Sequence, residues 1–170
     1  PARLAASHAA VVEAIERQAA TLCTIAPTFA NEARSAAAAA IVSHAPGSAR
    51  PGGGPLQKVF FTNGGAEAIE NALRLAKLHT GRHKVLSAYR SYHGATAAAM
   101  MLTGEPRRWP SEPGTPGVVH FFGPYLYRSA FHATTEVEEC ERALEHLESV
   151  VAMEGPGTIA AIALESVVGT

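Results

Sequence analysis

The stretch from Lys58 to Lys77 constrains this chain more than any other: an apolar run, Val59-Phe60-Phe61-Thr62, breaks at Asn63-Gly64-Gly65-Ala66 and then resumes with helical spacing. Val59, Phe60, Phe61 and Thr62 favour a pleated, buried strand. Ile69, Leu73 and Ala76 recur at three- and four-residue steps on one helix face. The expected unit is strand, tight turn and helix. Glycines in the turn allow close approach of a ligand, and the first helical N–H groups, of Ala66, Glu67 and Ala68, have no intrahelical partner. Such a start attracts an anion, commonly a phosphate. Asn-Gly-Gly is also an ordinary turn, and its spacing is neither the dinucleotide fingerprint nor a P-loop. The turn needs support from elsewhere in the chain.

That support begins with what can be set aside. The 170 residues are 47% hydrophobic and 17% charged, an ordinary globular composition. Fourteen basic and fifteen acidic residues leave a formal charge of -1 with no Lys/Arg block, so neither a nucleic-acid nor a membrane partner is expected. No run approaches the ~20 apolar residues of a membrane span, and the start lacks a signal-peptide pattern. The expected location is cytoplasmic. Cys23 and Cys140 have no metal-ligand spacing and read as small buried thiols, with no disulfide. The sequence contains no Asp, and its lysines are Lys58, Lys77 and Lys84. Lys58 and Lys84 lead into strands and Lys77 sits late in a helix, so none reads as a desolvated nucleophile.

Taken in order, residues 2–22 predict an amphipathic helix with Leu4, His8, Val11, Val12, Ile15, Ala19 and Leu22 on one stripe. No capping residue precedes it, which suggests that the natural polypeptide extends upstream. Asn31 is a natural cap for a second helix through Val42, ended by Pro46-Gly47. Gly52-Gly53-Gly54, flanked by prolines, predicts a mobile surface loop without a catalytic role. Two regions are therefore expected: 1–57, helices and a Gly/Pro-rich loop, and 58–170, an α/β unit.

Gly81 stops the central helix and Lys84 to Tyr89 read as the next strand. A parallel crossover would set the Asn63 turn and the residues after Ala88 at one carboxyl edge of the sheet, where ligands of open α/β sheets bind. Tyr89-Arg90-Ser91-Tyr92-His93-Gly94-Ala95-Thr96 lies there, ahead of a helix from Ala97 to Leu102. Tyr92 could lie flat against an aromatic ligand; packed alone, the same triplet is a core aromatic, a satisfied histidine and a turn glycine. Arg107-Arg108 reads as a solvated pair and Trp109 as a cover for apolar surface. Val118 to Phe122 predict a strand, followed by an aromatic loop, Gly123 to Arg128, of the kind that walls pockets. Thr135 and Glu138 form a capping box for a helix with Val137, Cys140, Leu144, Leu147 and Val151 buried and its glutamates solvated. Thr158 to Leu164 predict a fully buried parallel strand closed by Glu165.

Phe-Thr-Asn63-Gly64-Gly65-Ala66-Glu67-Ala68, Tyr92-His93-Gly94-Ala95-Thr96, Pro124-Tyr125-Leu126-Tyr127-Arg128 and Ala163-Leu164-Glu165, in that order and over nearly the whole chain, resemble the class III aminotransferases. The resemblance implies an α/β fold with a mostly parallel sheet and flanking helices, part of the large domain of the aspartate-aminotransferase-like, fold type I, pyridoxal-phosphate-dependent enzymes. It implies pyridoxal phosphate as cofactor, with Gly65 and Ala66 as the phosphate-binding pair and Tyr92 as the aromatic stacked on the cofactor ring. His93 completes that loop, and Glu165 supports the aspartate that pairs with the pyridine nitrogen. The family usually has Ser at the position of Ala66 and Pro at that of Ser166. Ala66 removes one hydroxyl, of a class of bond worth about 1.5–3 kcal/mol to a charged group, while the backbone donors remain.

The Schiff-base lysine and the aspartate of the family have no counterpart in this chain, so it is expected to be the amino-terminal part of a large domain and inactive by itself. The resemblance implies that the whole protein moves an amino group between an amine or amino acid and a 2-oxo acid, as a homodimer. Two alternatives stand beside it: another fold type I enzyme, a decarboxylase or aminomutase, and a noncatalytic α/β module binding a phosphorylated ligand or only a partner protein.

Overall fold

The computed structural model describes residues 8–45 and 56–168. The expected helical residues before His8, the Pro46-Gly47 stop and the Gly52-Gly53-Gly54 loop lie outside them. The chain divides into two compact units between Phe60 and Phe61.

The first unit holds helix α1, Ala9–Thr21, and helix α2, Glu32–His44. Asn31 caps α2 as its side chain predicts, accepting the Arg34 N–H at 2.9 Å. On the apolar stripe of α1, Val11, Val12 and Ile15 are all exposed. An apolar stripe is buried only where a packing surface meets it.

The second unit opens with residues 61–64, which belong to no strand and bend at Asn63 and Gly64. The buried strand expected over Val59 to Thr62 is absent: Phe60 is 72% and Phe61 42% exposed, and the sheet is made from other segments. Strand propensity describes fit to a neighbouring strand, and no described segment pairs with this one. Helix α3, Gly65–Thr80, starts where the glycines predict and ends at Gly81, whose left-handed φ of 67° closes the last turn by an N–H bond to Lys77 O.

Strand β1, Lys84–Ala88, helix α4, Ala97–Leu102, strand β2, Val118–Phe121, helix α5, Glu136–Glu154, and strand β3, Ile159–Ala163, complete the unit. The sheet order is β2-β1-β3 and both pairings are parallel. Period-two alternation along β1 sends Val85 to one face, with Leu73 and Leu102, and Leu86 to the other, with Phe121 and Ile159. Helices α3 and α4 cover the first face, while Leu147, Val150 and Val151 of α5 cover the second. β3 is half-buried rather than fully buried, with Ile162 44% exposed.

Helix α5 departs from its predicted face. Thr135 caps it, accepting the Glu138 N–H at 3.2 Å, and Glu138 pairs with Arg142. Its inward residues, however, include Glu139 and Ala143, whereas Val137, Cys140 and Leu144 are exposed. Glu139 is 2% exposed and accepts the Tyr125 N–H at 2.7 Å. That bond meets part of the cost of burying a carboxylate, whose Oε2 has no hydrogen-bond partner among the described residues, and the inward face lies one residue away from the purely apolar stripe. Both cysteines are exposed and free, not buried as their type suggested.

Candidate functional site

Because both pairings are parallel, β1, β2 and β3 end at one edge, and the loops that leave them meet there. The loop after β1 is drawn tightly onto the start of α3. Gly94 has φ 135°, and a Cβ placed on it would lie 2.5 Å from the Ala66 Cβ and 2.8 Å from the Ala66 Cα. Only glycine allows this approach, and it sets the Tyr92-His93-Gly94 loop beside the Gly65-Ala66 helix start.

The helix start itself is built to leave its donors outward. Glu67 folds back so that its Oε2 accepts both the Asn63 N–H, at 2.7 Å, and the Asn63 side-chain amide, at 3.0 Å. The turn is thus held without using the N–H groups of Ala66 and Glu67, which point along the axis away from the helix, whereas the Ala68 N–H, expected to lack an intrahelical partner, donates to Gly64 O at 3.0 Å because the residue before the helix already closes its first turn. A Cβ at Gly64 or Gly65 would meet nothing within 4 Å, so the space beside the turn is open.

Glu165 is brought in by a third link. Its Oε1 accepts the Tyr92 N–H at 2.9 Å across 73 residues of sequence. The carboxyl end of β3 is thereby tied to the loop after β1. The five residues marked by sequence, Gly65, Ala66, Tyr92, His93 and Glu165, are therefore gathered by two contacts, Gly94 on Ala66 and Tyr92 on Glu165.

His93 faces inward. Its Nε2 lies 3.2 Å from the Ser87 Oγ, on buried β1, and its backbone N–H donates to the Thr103 Oγ1 at 3.1 Å. Burial pushes the imidazole below the ordinary histidine range, and the Glu165 charge pulls it partly back. This histidine fastens the loop to the sheet. Tyr92 projects the other way, with 38% of its surface exposed.

Two clefts meet at Glu165. One, of about 400 Å³, is lined by Tyr89, Arg90, Phe122, Tyr125, Leu164 and Glu165. The aromatic loop after β2 is a pocket wall, as expected. The other, of about 430 Å³, lies between α3 and β3 and includes Leu73, His93, Leu102, Ala163 and Glu165. Both volumes fall in the range of small-molecule sites.

Four features of this region carry no local sequence signal. Arg107, expected to be solvated, lies with its guanidinium carbon 4.1 Å from the centre of the Tyr92 ring. Trp109, expected to cover apolar surface, is 62% exposed. Glu70 of α3 receives the Ala98 N–H at 2.8 Å and the Ala99 N–H at 3.2 Å, so one helix caps the next. Glu139 holds the aromatic loop from beneath through Tyr125. Apart from the exposure of Trp109, each is a contact between segments well separated in the chain.

Among the described residues, no cluster of three or more His, Cys or Glu side chains could hold a metal. No described helix is long and apolar enough to cross a membrane. Lys84 is committed at the opposite end of β1, its Nζ donating to Glu154 O at 2.8 Å and Oε2 at 2.7 Å.

Comparison with known proteins agrees with this architecture. The family model for class-III aminotransferases matches residues 2–170. A probable aminotransferase of Mycobacterium tuberculosis is 39% identical over 127 residues, which span 70% of this chain and 27% of that protein. The acetylornithine aminotransferase of Bacillus amyloliquefaciens is 34% identical over 143 residues, 84% of this chain and 57% of that protein. Among solved structures, a taurine:2-oxoglutarate aminotransferase from Bifidobacterium kashiwanohense, in complex with PLP and glutamate, superposes with a TM-score of 0.83 at 38% identity, covering 93% of this chain and 35% of that one.

A parallel α/β sheet with an anion-receptive helix start and an aromatic loop at its carboxyl edge is thus part of the fold type I pyridoxal-phosphate transferase architecture. The chain belongs to the class III aminotransferase family. It spans roughly a quarter to just over half the length of the relatives described above.

Proposed function

We propose that this chain forms the phosphate-anchoring and ring-stacking part of a pyridoxal-phosphate aminotransferase that exchanges an amino group between an amine or amino acid and a 2-oxo acid. The observation that carries the reading is the packing of Gly94 on Ala66, which sets an anion-receptive helix start beside an exposed tyrosine. Family membership supplies the reaction class.

The residues present fit the phosphate and ring of that cofactor. Backbone donors at Gly65 and Ala66 would receive the phosphate, aided by the positive end of the α3 dipole. Tyr92 would stack on the ring, an offset contact worth about 0.5–1.5 kcal/mol beyond area burial. Glu165 holds the Tyr92 backbone, and His93, through Ser87 and Thr103, keeps the loop from sliding along β1. Pyridoxal phosphate, when bound, supplies the electron sink that transamination needs. The covalent anchor has no candidate here: none of Lys58, Lys77 and Lys84 stands in a matching context, and no Asp exists to face a pyridine nitrogen. Those groups would come from the rest of a longer polypeptide, acting as a cytoplasmic homodimer.

The test is transamination by the full-length protein with an amine donor and a 2-oxo acid acceptor, beside a Gly65→Glu variant. Amino transfer that Gly65→Glu abolishes, by setting a carboxylate where phosphate should bind, is the expected result. Full activity in that variant would refute the anchor. Decarboxylation of the donor in place of amino transfer would shift the reading to a sister activity of the same fold.

A further inference from the structure

Residues 103 and 104 are tied to residues 90–93 by a set of hydrogen bonds. The Arg90 N–H donates to Gly104 O at 3.0 Å, and the Gly104 N–H donates to Ser91 O at 2.9 Å and to Ser91 Oγ at 3.2 Å. One residue further, the His93 N–H donates to the Thr103 hydroxyl. Gly104 is seated so closely that a Cβ there would stand 2.1 Å from Ala88 O and 2.6 Å from the Tyr89 Cα. The turn Pro106–Ser111 follows directly and delivers Arg107 over the Tyr92 ring, 4.1 Å from its centre. Glu105 forms an ion pair with Arg107. Both side chains are exposed, Arg107 at 56% and Tyr92 at 38%, and the segments that carry them are tied together through residues 90–93 and 103–104.

We infer that Arg107 is a positioning residue for cofactor binding: it covers one face of Tyr92 and fixes the ring so that the opposite face is presented to the pyridoxal ring. This rests on the assignment of Tyr92 as the stacking residue. A guanidinium over an aromatic face is attracted by the ring quadrupole. A ring already held in place loses less freedom when a planar ligand stacks on it. Arg107 itself needs no contact with substrate.

The experiment uses the full-length protein stripped of cofactor and titrated with pyridoxal phosphate, read by the visible circular dichroism and absorbance of the bound cofactor rather than by turnover. Arg107→Met, which keeps the aliphatic stem but removes the cation, should raise the dissociation constant about threefold and reduce the circular dichroism per bound cofactor. Arg107→Lys should recover most of both, as a merely structural role would not require. Affinity and circular dichroism unchanged in Arg107→Met would overturn the inference, as would tighter binding, which would mean that Arg107 occupies the ligand's own face. Tyr92→Ala separates the two levels. If it leaves affinity unchanged, the stacking assignment itself fails; if it weakens binding while Arg107→Met does not, only the role of Arg107 fails.

Discussion

The Tyr92 backbone N–H donates to the Glu165 Oε1 at 2.9 Å, joining the loop after the central strand to the end of β3 across 73 residues. Neither residue could be linked to the other by local spacing. The bond makes the orientation of a candidate ring-stacking tyrosine depend on a carboxylate from a different strand, and the same carboxylate is felt electrostatically by His93. Three neighbouring groups therefore respond together to one substitution.

That coupling gives a titration with a defined sign. Burial holds the His93 imidazole below its ordinary value of 6.5, and Glu165 opposes this. Replacing Glu165 with Gln removes the opposing charge, so the His93 midpoint should move further down, by NMR of the ring protons. Because an unfolded histidine takes up a proton more readily than this folded one, His93 makes stability fall as pH drops through 6.5 toward the lower folded value, with no contribution above both. A midpoint at or above 6.5, or an upward move in Glu165→Gln, would contradict the arrangement.

The contact between Gly94 and Ala66 predicts a steric penalty. Gly94→Ala must place a methyl group 2.5 Å from the Ala66 Cβ at a φ of 135°, and should cost about 2–3 kcal/mol of unfolding free energy. Adding Ala66→Gly removes the closer clash but leaves the Ala66 Cα at 2.8 Å and the backbone strain, so recovery should be partial. Denaturant midpoints of the single and double variants measure this. Wild-type stability in Gly94→Ala would mean that the loop lies elsewhere.

Glu70 caps α4 from a different helix, and its carboxyl is held below the ordinary 4.5. Burial acts to raise it, but the Thr96 hydroxyl and the Ala99 and Ala98 N–H groups together outweigh that. The stabilisation is therefore present above 4.5 and lost as pH falls through the lower folded value. Glu70→Gln should cost about 1 kcal/mol at pH 7, a typical capping contribution, with the gap to wild type closing below pH 4. A gap that persists unchanged in acid would assign the effect to packing rather than charge.

How much of this was legible follows the range of each interaction. The Asn31 and Thr135 caps, and the Gly81 stop, depend on atoms within a few residues and stand where the sequence puts them. The carboxyl-edge argument likewise brought Tyr92, His93 and Glu165 together, because they follow parallel strands, whereas Gly65 and Ala66, with no described strand before them, join the group through the Gly94 contact. What depends on a partner from afar was not legible. Val59 to Thr62 has the composition of a strand yet pairs with no described neighbour. Glu139 is buried because Tyr125, fourteen residues earlier, offers it an N–H, and Arg107 finds Tyr92 through bonds at Gly104 that no spacing rule describes.

The most direct test of the account is the dissociation constant of pyridoxal phosphate from the full-length protein, compared between wild type and Tyr92→Ala by equilibrium titration of cofactor absorbance. Loss of a stacking contact of about 0.5–1.5 kcal/mol predicts weakening of roughly two- to twelvefold. An unchanged constant, with the variant folded as wild type, would show that the cradle formed by Gly65, Tyr92 and Glu165 is not where the cofactor binds.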